Sequence, residues 1–173
     1  GELSVSSVIG KGTTFCVCIT IPIAKDYIYK KELRSIELQE VDFSGKRILV
    51  VEDHNVNQMI ITKLLRNKGA EVLLAENGKL GVEEFAASEP GSIDAILMDV
   101  RMPEMDGLQA TRAIRALRRR DAASVPIIAM TANAYDEDRE KSGAAGMNCH
   151  LAKPIDTRVL YDTLEKYLSD GKP

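Results

Sequence analysis

The chain has 173 residues, enough for one ordinary domain and a remainder. It is 45% hydrophobic and 28% charged with a net charge of −3, a globular composition whose mild acidity gives no general reason to bind nucleic acid or anionic membrane. No apolar run approaches the roughly 18–20 residues that span a bilayer. The start, Gly1-Glu2-Leu3-Ser4, lacks the basic and apolar regions of a signal peptide and an initiator Met, so the chain reads as an excised piece. Its cysteines, Cys16, Cys18 and Cys149, are odd in number and lack metal-ligand spacing. They read as plain strand residues, and a cytoplasmic location is expected.

In chain order, Glu2 to Val8 and Thr13 to Ile21 predict two strands around the turn Gly10-Lys11-Gly12. Phe15, Val17, Ile19 and Ile21 fall on one face of the second strand, alternating with Cys16, Cys18 and Thr20, and Pro22 ends it because proline cannot donate to a ladder. Two strands alone are marginally stable, so this hairpin wants a partner surface. Residues 25–44, rich in Lys, Glu and Tyr, read as a linker. A strand–helix alternation then runs over 45–170. Its apolar runs are Ile48–Val51, Val72–Ala75, Ala95–Met98, Ile127–Met130 and a weaker one around Met147–Leu151. Helical patterns fall at 55–68, 78–88, 107–119, 135–144 and 156–168. In the first of these, Val56, Met59, Ile60, Lys63 and Leu64 give the spacing of a half-buried face. Arg112, Arg115, Arg118, Arg119 and Arg120 read as a solvated helix end. Five strands with interleaved helices predict an α/β fold, a parallel sheet covered on both faces.

Chemistry collects where the strands stop. Glu52 and Asp53 close the first of these runs, Asp99 the third and Thr131 the fourth, and Lys153 precedes Pro154 after the fifth. In an open α/β sheet ligands bind at the carboxyl ends of the strands. Carboxylates gathered there repel one another unless a cation neutralises them. Mg²⁺, which takes oxygen ligands from one or two carboxylates and phosphate, is the natural candidate. Lysine and hydroxyl suit a phosphoryl anion beside it. Each has a bland alternative: Asp53 as a helix cap, Glu52 as an exposed strand end, Thr131 as a turn residue, Lys153 as a surface charge.

Residues 46–169 resemble the receiver domain of bacterial two-component response regulators. The resemblance is carried by Ile48-Leu49-Val50-Val51-Glu52-Asp53 and by Leu97-Met98-Asp99-Val100-Arg101-Met102-Pro103-Glu104-Met105-Asp106-Gly107. Ile127-Ile128-Ala129-Met130-Thr131-Ala132 and Leu151-Ala152-Lys153-Pro154 complete it. It implies a five-stranded doubly wound, flavodoxin-like sheet of order 2-1-3-4-5 flanked by five helices. It also implies Asp99 as phosphoacceptor, Asp53 as a direct Mg²⁺ ligand, Glu52 as a second acid acting through water, and the backbone carbonyl of Arg101 as a further ligand. Thr131 would bind the phosphoryl group, Lys153 would pair with it, and the peptide before Pro154 would be cis. The readout surface implied is the fourth helix, fifth strand and fifth helix. His150 departs from the pattern: it stands where many receivers carry a Tyr or Phe that swings inward. Arg101 and Asn133 flank the site and are expected to affect the access of hydrolytic water.

Gly10-Lys11-Gly12-Thr13-Thr14-Phe15, with its alternating strand and Pro22, resembles the last hairpin of the histidine-kinase ATP-binding domain. Residues 1–24 would then be a remnant of that domain ahead of a linker and a receiver, the order of a hybrid sensor kinase, whose full-length form would be a histidine kinase, membrane-anchored or not. The fragment lacks a kinase core, and is expected to catalyse only its own aspartyl phosphorylation and dephosphorylation. The implied partners are a histidine-kinase core as phosphodonor and a histidine phosphotransfer protein. A stand-alone response regulator and a phosphorylation-independent pseudo-receiver are the competing readings.

Overall fold

A computed structural model describes residues 1–19, 41–132 and 136–169, with backbone alone for 136–139. Thr20, Ile21, Pro22, the charged stretch up to Glu40, and Asn133 lie outside the described residues. The chain divides into two units, Gly1–Gln39 and Glu40–Pro173.

In the first unit β1 (Glu2–Val8) pairs antiparallel with β2 (Gly12–Cys18). The turn works because Gly10 and Gly12 take φ of 79° and 103°, which side chains resist, and Lys11 N donates to the Val8 carbonyl at 2.9 Å. Leu3 faces Val17 and Val5 faces Phe15 across the ladder. All four are 61–71% exposed.

The second unit alternates strand and helix: β3 (Arg47–Val51), α1 (Asn55–Arg66), β4 (Glu71–Ala75), α2 (Gly78–Ala87), β5 (Ala95–Asp99), α3 (Gly107–Arg115), β6 (Ile127–Thr131), α4 (Asp136–Ala145), β7 (Cys149–Ala152) and α5 (Thr157–Ser169). The five strands are parallel in the order β4-β3-β5-β6-β7, the doubly wound 2-1-3-4-5 arrangement expected from the sequence. Alternate strand residues feed two cores. Ile48, Val50, Leu97, Ile128 and Met130 pack with Ile61 and Leu65 of α1 and Leu160 and Leu164 of α5. Leu49, Val51, Ile96, Met98 and Ile127 pack with Phe85 of α2 and Ala110 and Ile114 of α3. Each such buried Leu, Ile or Val stabilises the fold by roughly 1.5–3 kcal/mol relative to exposure. Val41 packs against the first core and Phe43 lies within it, so this unit begins ahead of Gly45.

Two expectations need correction. The buried face of α1 is Gln58, Ile61 and Leu65, while Val56, Met59 and Ile60 are 50–65% exposed. Ile61, Leu64 and Leu65 offer the same i, i+3, i+4 spacing as the predicted stripe. The helix is turned so that Gln58, a polar residue, points inward and donates to the Glu52 carbonyl at 2.6 Å. The arginines are not simply a solvated helix end either. Helix α3 stops at Arg115, earlier than its pattern suggests, with Ala116 as C-cap. Arg115 donates to the carbonyls of Ala122 (2.7 Å) and Gly146 (2.9 Å). Arg119 turns back to pair with Asp121 at 2.7 Å, lies 4.2 Å over the Phe85 ring, and donates to the carbonyls of Phe85 and Ser88 at the end of α2. Carbonyls left open at a helix end need donors, and a guanidinium supplies several at once. Arg112, Arg118 and Arg120 remain exposed.

Candidate functional site

Register brings the site together. Val51 pairs with Met98, so the residues that follow each, Glu52 and Asp99, leave neighbouring strands side by side. Asp99 pairs with Met130, which places Thr131 one step further on the next strand. Thr131 pairs with Ala152, and Lys153 N donates to the Thr131 carbonyl at 2.7 Å, so Lys153 enters from the far strand. The Lys153–Pro154 peptide is cis, as expected.

Carboxylate oxygens of Glu52, Asp53 and Asp99 lie within 4.8 Å of one another. Glu52 and Asp99 are buried and Asp53 is exposed. The bland alternatives for these acids do not hold. Glu52 is no exposed strand end, and His54, not Asp53, occupies the N-cap position of α1, with no side-chain cap bond there. Lys153 Nζ reaches Glu52 Oε2 at 2.7 Å and Asp99 Oδ2 at 2.6 Å, so it is no simple surface charge. Arg101 N donates to Asp99 Oδ1 at 3.1 Å. The Thr131 side chain is buried at the sheet end. Beside Asp53 opens a cleft of about 480 Å³ lined by Val100, Arg101, Met102, Pro103, Asp106 and Leu108.

Burial pushes Asp99 above the usual carboxylate range, and the hydrogen bonds from Lys153 and Arg101 only partly offset it. Burial also draws Lys153 down, but its hydrogen bonds to Asp99 and Glu52 outweigh that and hold it above the ordinary lysine value. One ammonium against three carboxylates leaves an excess of negative charge. Close like charges are costly without a counterion, and an all-oxygen donor set with one exposed member suits a hard divalent cation such as Mg²⁺.

Sequence reasoning did not single out two α1 side chains that grip Glu52: Asn57, which donates to its carboxylate Oε1 at 2.7 Å, and Gln58. The available signal was an amide pair in the first turn of the helix that follows the acids. His150, on β7, contacts the hydroxyl of Ser142, which α4 holds fully buried.

A family model described as the response regulator receiver domain matches residues 48–165. The chain is 35% identical over 143 residues to hybrid signal transduction histidine kinase I of Dictyostelium discoideum, covering 79% of this chain and 8% of that protein. It is 40% identical over 122 residues to sensor protein GacS of Pseudomonas syringae pv. syringae, covering 70% and 13%. The chain thus spans a small fraction of the length of these relatives. Among solved structures, the receiver domain of sensor histidine kinase PA1611 from Pseudomonas aeruginosa PAO1, with magnesium coordinated in its active site cleft, superposes with a TM-score of 0.66 at 43% identity, over 73% of this chain and all of that one. The receiver domain of Saccharomyces cerevisiae Ssk1, solved in complex with the histidine phosphotransfer protein Ypd1, superposes with a TM-score of 0.67 at 29% identity, over 73% and 91%.

Proposed function

The chain belongs to the response regulator receiver domain family, and from that premise we propose that it accepts a phosphoryl group from a phosphohistidine onto Asp99. The single observation that carries this is the bridge of Lys153 to Asp99 and Glu52 at 2.6 and 2.7 Å inside a trio of carboxylates. Asp99 is the one acid of the three that is buried, paired with the ammonium and also held by a backbone N–H.

In this reading a carboxylate oxygen of Asp99 bonds to phosphorus as the phosphorus–nitrogen bond breaks, and the imidazole leaves with that electron pair. Glu52, Asp53, Asp99 and the carbonyl of Arg101 would hold Mg²⁺, which when bound supplies positive charge against the phosphoryl oxygens. Lys153 orients Asp99 and would neutralise charge on the transferring group. Thr131, at the neighbouring strand end, donates its hydroxyl to the product acyl phosphate. Catalysis of this kind is positioning and electrostatics. Differential contacts to the new phosphoryl group then shift a conformational equilibrium.

The hairpin in front favours a hybrid histidine kinase as the parent and its kinase core as phosphodonor. The likeness to hybrid signal transduction histidine kinase I of Dictyostelium discoideum supports that parent. The next partner would be a histidine phosphotransfer protein. The Pseudomonas likenesses support a bacterial source. Among the described residues no helix is long and apolar enough to cross a membrane; a cytoplasmic location is part of this proposal. Incubation with Mg²⁺ and acetyl phosphate should add one phosphoryl mass to the intact protein, and Asp99→Asn should remove it while the fold survives. Labelling that persists in Asp99→Asn would overturn the assignment.

A further inference from the structure

The buried Glu52 is held at four points. Its N–H donates to the Ala75 carbonyl at 3.0 Å, and its own carbonyl accepts from Gln58. Its Oε2 accepts from Lys153 and its Oε1 from Asn57 Nδ2 at 2.7 Å. Gln58 fixes backbone, whereas Asn57 acts on the charge-bearing group itself. A buried carboxylate needs hydrogen-bond donors in place of the water it has lost. Lys153 is shared with Asp99, so Asn57 is the partner that serves Glu52 and not Asp99. We propose that Asn57 is a positioning residue that keeps the Glu52 carboxylate correctly turned for the metal, and so leaves Lys153 to be shared with Asp99. Without the amide, Oε1 loses its donor, and Lys153 is drawn towards Glu52 and away from Asp99. Asn57 is half-buried on the first turn of α1, so truncating it removes a donor without emptying a core.

This inference rests on Glu52 belonging to the metal site, and the experiment separates the two. Mg²⁺ affinity is read by NMR titration of the whole chain for wild type, Glu52→Gln, Asn57→Ala, Asn57→Ser and the Asn57→Ala/Glu52→Gln double variant. Outer partners of metal-site groups are worth about tenfold in affinity, so Asn57→Ala should weaken Mg²⁺ about tenfold, and Asn57→Ser is the second variant should alanine unfold the helix end. If Asn57 acts through Glu52, the double variant binds no more weakly than Glu52→Gln alone. A purely structural role would instead let the two losses add. Asn57 variants that bind within about twofold of wild type, the tolerance of independent sites, while Glu52→Gln binds weakly, overturn the role of Asn57 alone. Glu52→Gln binding like wild type overturns the metal reading of Glu52, and this inference falls with it.

Discussion

Gly107 presses its α-carbon against the backbone of Asp99: a Cβ at that position would overlap the Asp99 carbonyl oxygen and crowd the Met98 side chain. The start of α3 thus sits directly on the end of β5. Gly107 N donates to the Val100 carbonyl at 3.1 Å, and Asp106 caps α3 by accepting from Gln109 N at 2.7 Å. The loop that follows Asp99 is thereby closed on itself by backbone contact.

Gly107→Ala should therefore cost about 1–3 kcal/mol, the range of overpacking against a wall that cannot yield freely. Urea unfolding would measure it. Because the wall is Asp99 itself, acetyl-phosphate labelling should also slow in the folded fraction. An alanine variant as stable and as readily labelled as wild type would show that the close approach constrains nothing.

Lys153→Met leaves two buried carboxylates facing each other. Breaking a fully buried pair typically costs about 3–5 kcal/mol; the Lys153 side chain is 20% exposed, so about 2 kcal/mol is the expected loss near neutral pH. The pH dependence has a definite sign. Lys153 is raised in the folded state above its ordinary 10.5, so its contribution is complete below that value and is lost as pH rises through the folded one. Wild type and variant should differ across neutral pH and converge in strong alkali, as thermal melts would show.

Much of this was legible in the chain, for identifiable reasons. Strands buried on both faces read as continuous apolar runs, and their ends carried Glu52, Asp53, Asp99, Thr131 and Lys153 in plain view. What escaped was orientation. The residues of α1 carry two apolar stripes of the same period, and the one that faces the sheet is the one that also brings Gln58 to the Glu52 carbonyl. Arg115 and Arg119 looked like solvent-facing charge because, beside Asp121 and Asn148, most of their partners are carbonyls, among them those at 85, 88, 122 and 146, groups that every residue has and no side-chain pattern announces. Asn57 was overlooked for a similar reason: a single amide says nothing until the acid it serves is placed.

The Arg119–Asp121 pair predicts an acid-sensitive step. Hydrogen bonding to Arg119 lowers Asp121 from 3.8 to about 2. A carboxylate lowered on folding contributes stability that is complete above the unfolded value and lost as pH falls through the folded one. Asp121→Asn should be less stable than wild type above pH 3.8. The gap should close as pH falls to about 2. Urea midpoints from pH 6 downwards for both proteins would check it, and a gap that stays constant through this window would remove Asp121 as its source.

The exposed stripe of α1 makes a prediction about partners. Val56, Met59 and Ile60 are 50%, 65% and 50% exposed on the helix that begins two residues after Asp53. Large apolar side chains left open beside this acidic site are what a helical phosphodonor or phosphoacceptor protein can cover. Met59→Lys/Ile60→Lys should leave the fold and acetyl-phosphate labelling unchanged, because neither side chain supports the core or touches the acids. Transfer between this chain and a histidine phosphotransfer protein should slow about tenfold or more, since losing central apolar anchors typically costs over 1 kcal/mol apiece. Stopped reactions with radiolabelled phosphotransfer protein would measure it. Unchanged transfer in the double variant would move docking off α1, and the surface of α4, β7 and α5 would be the next to test.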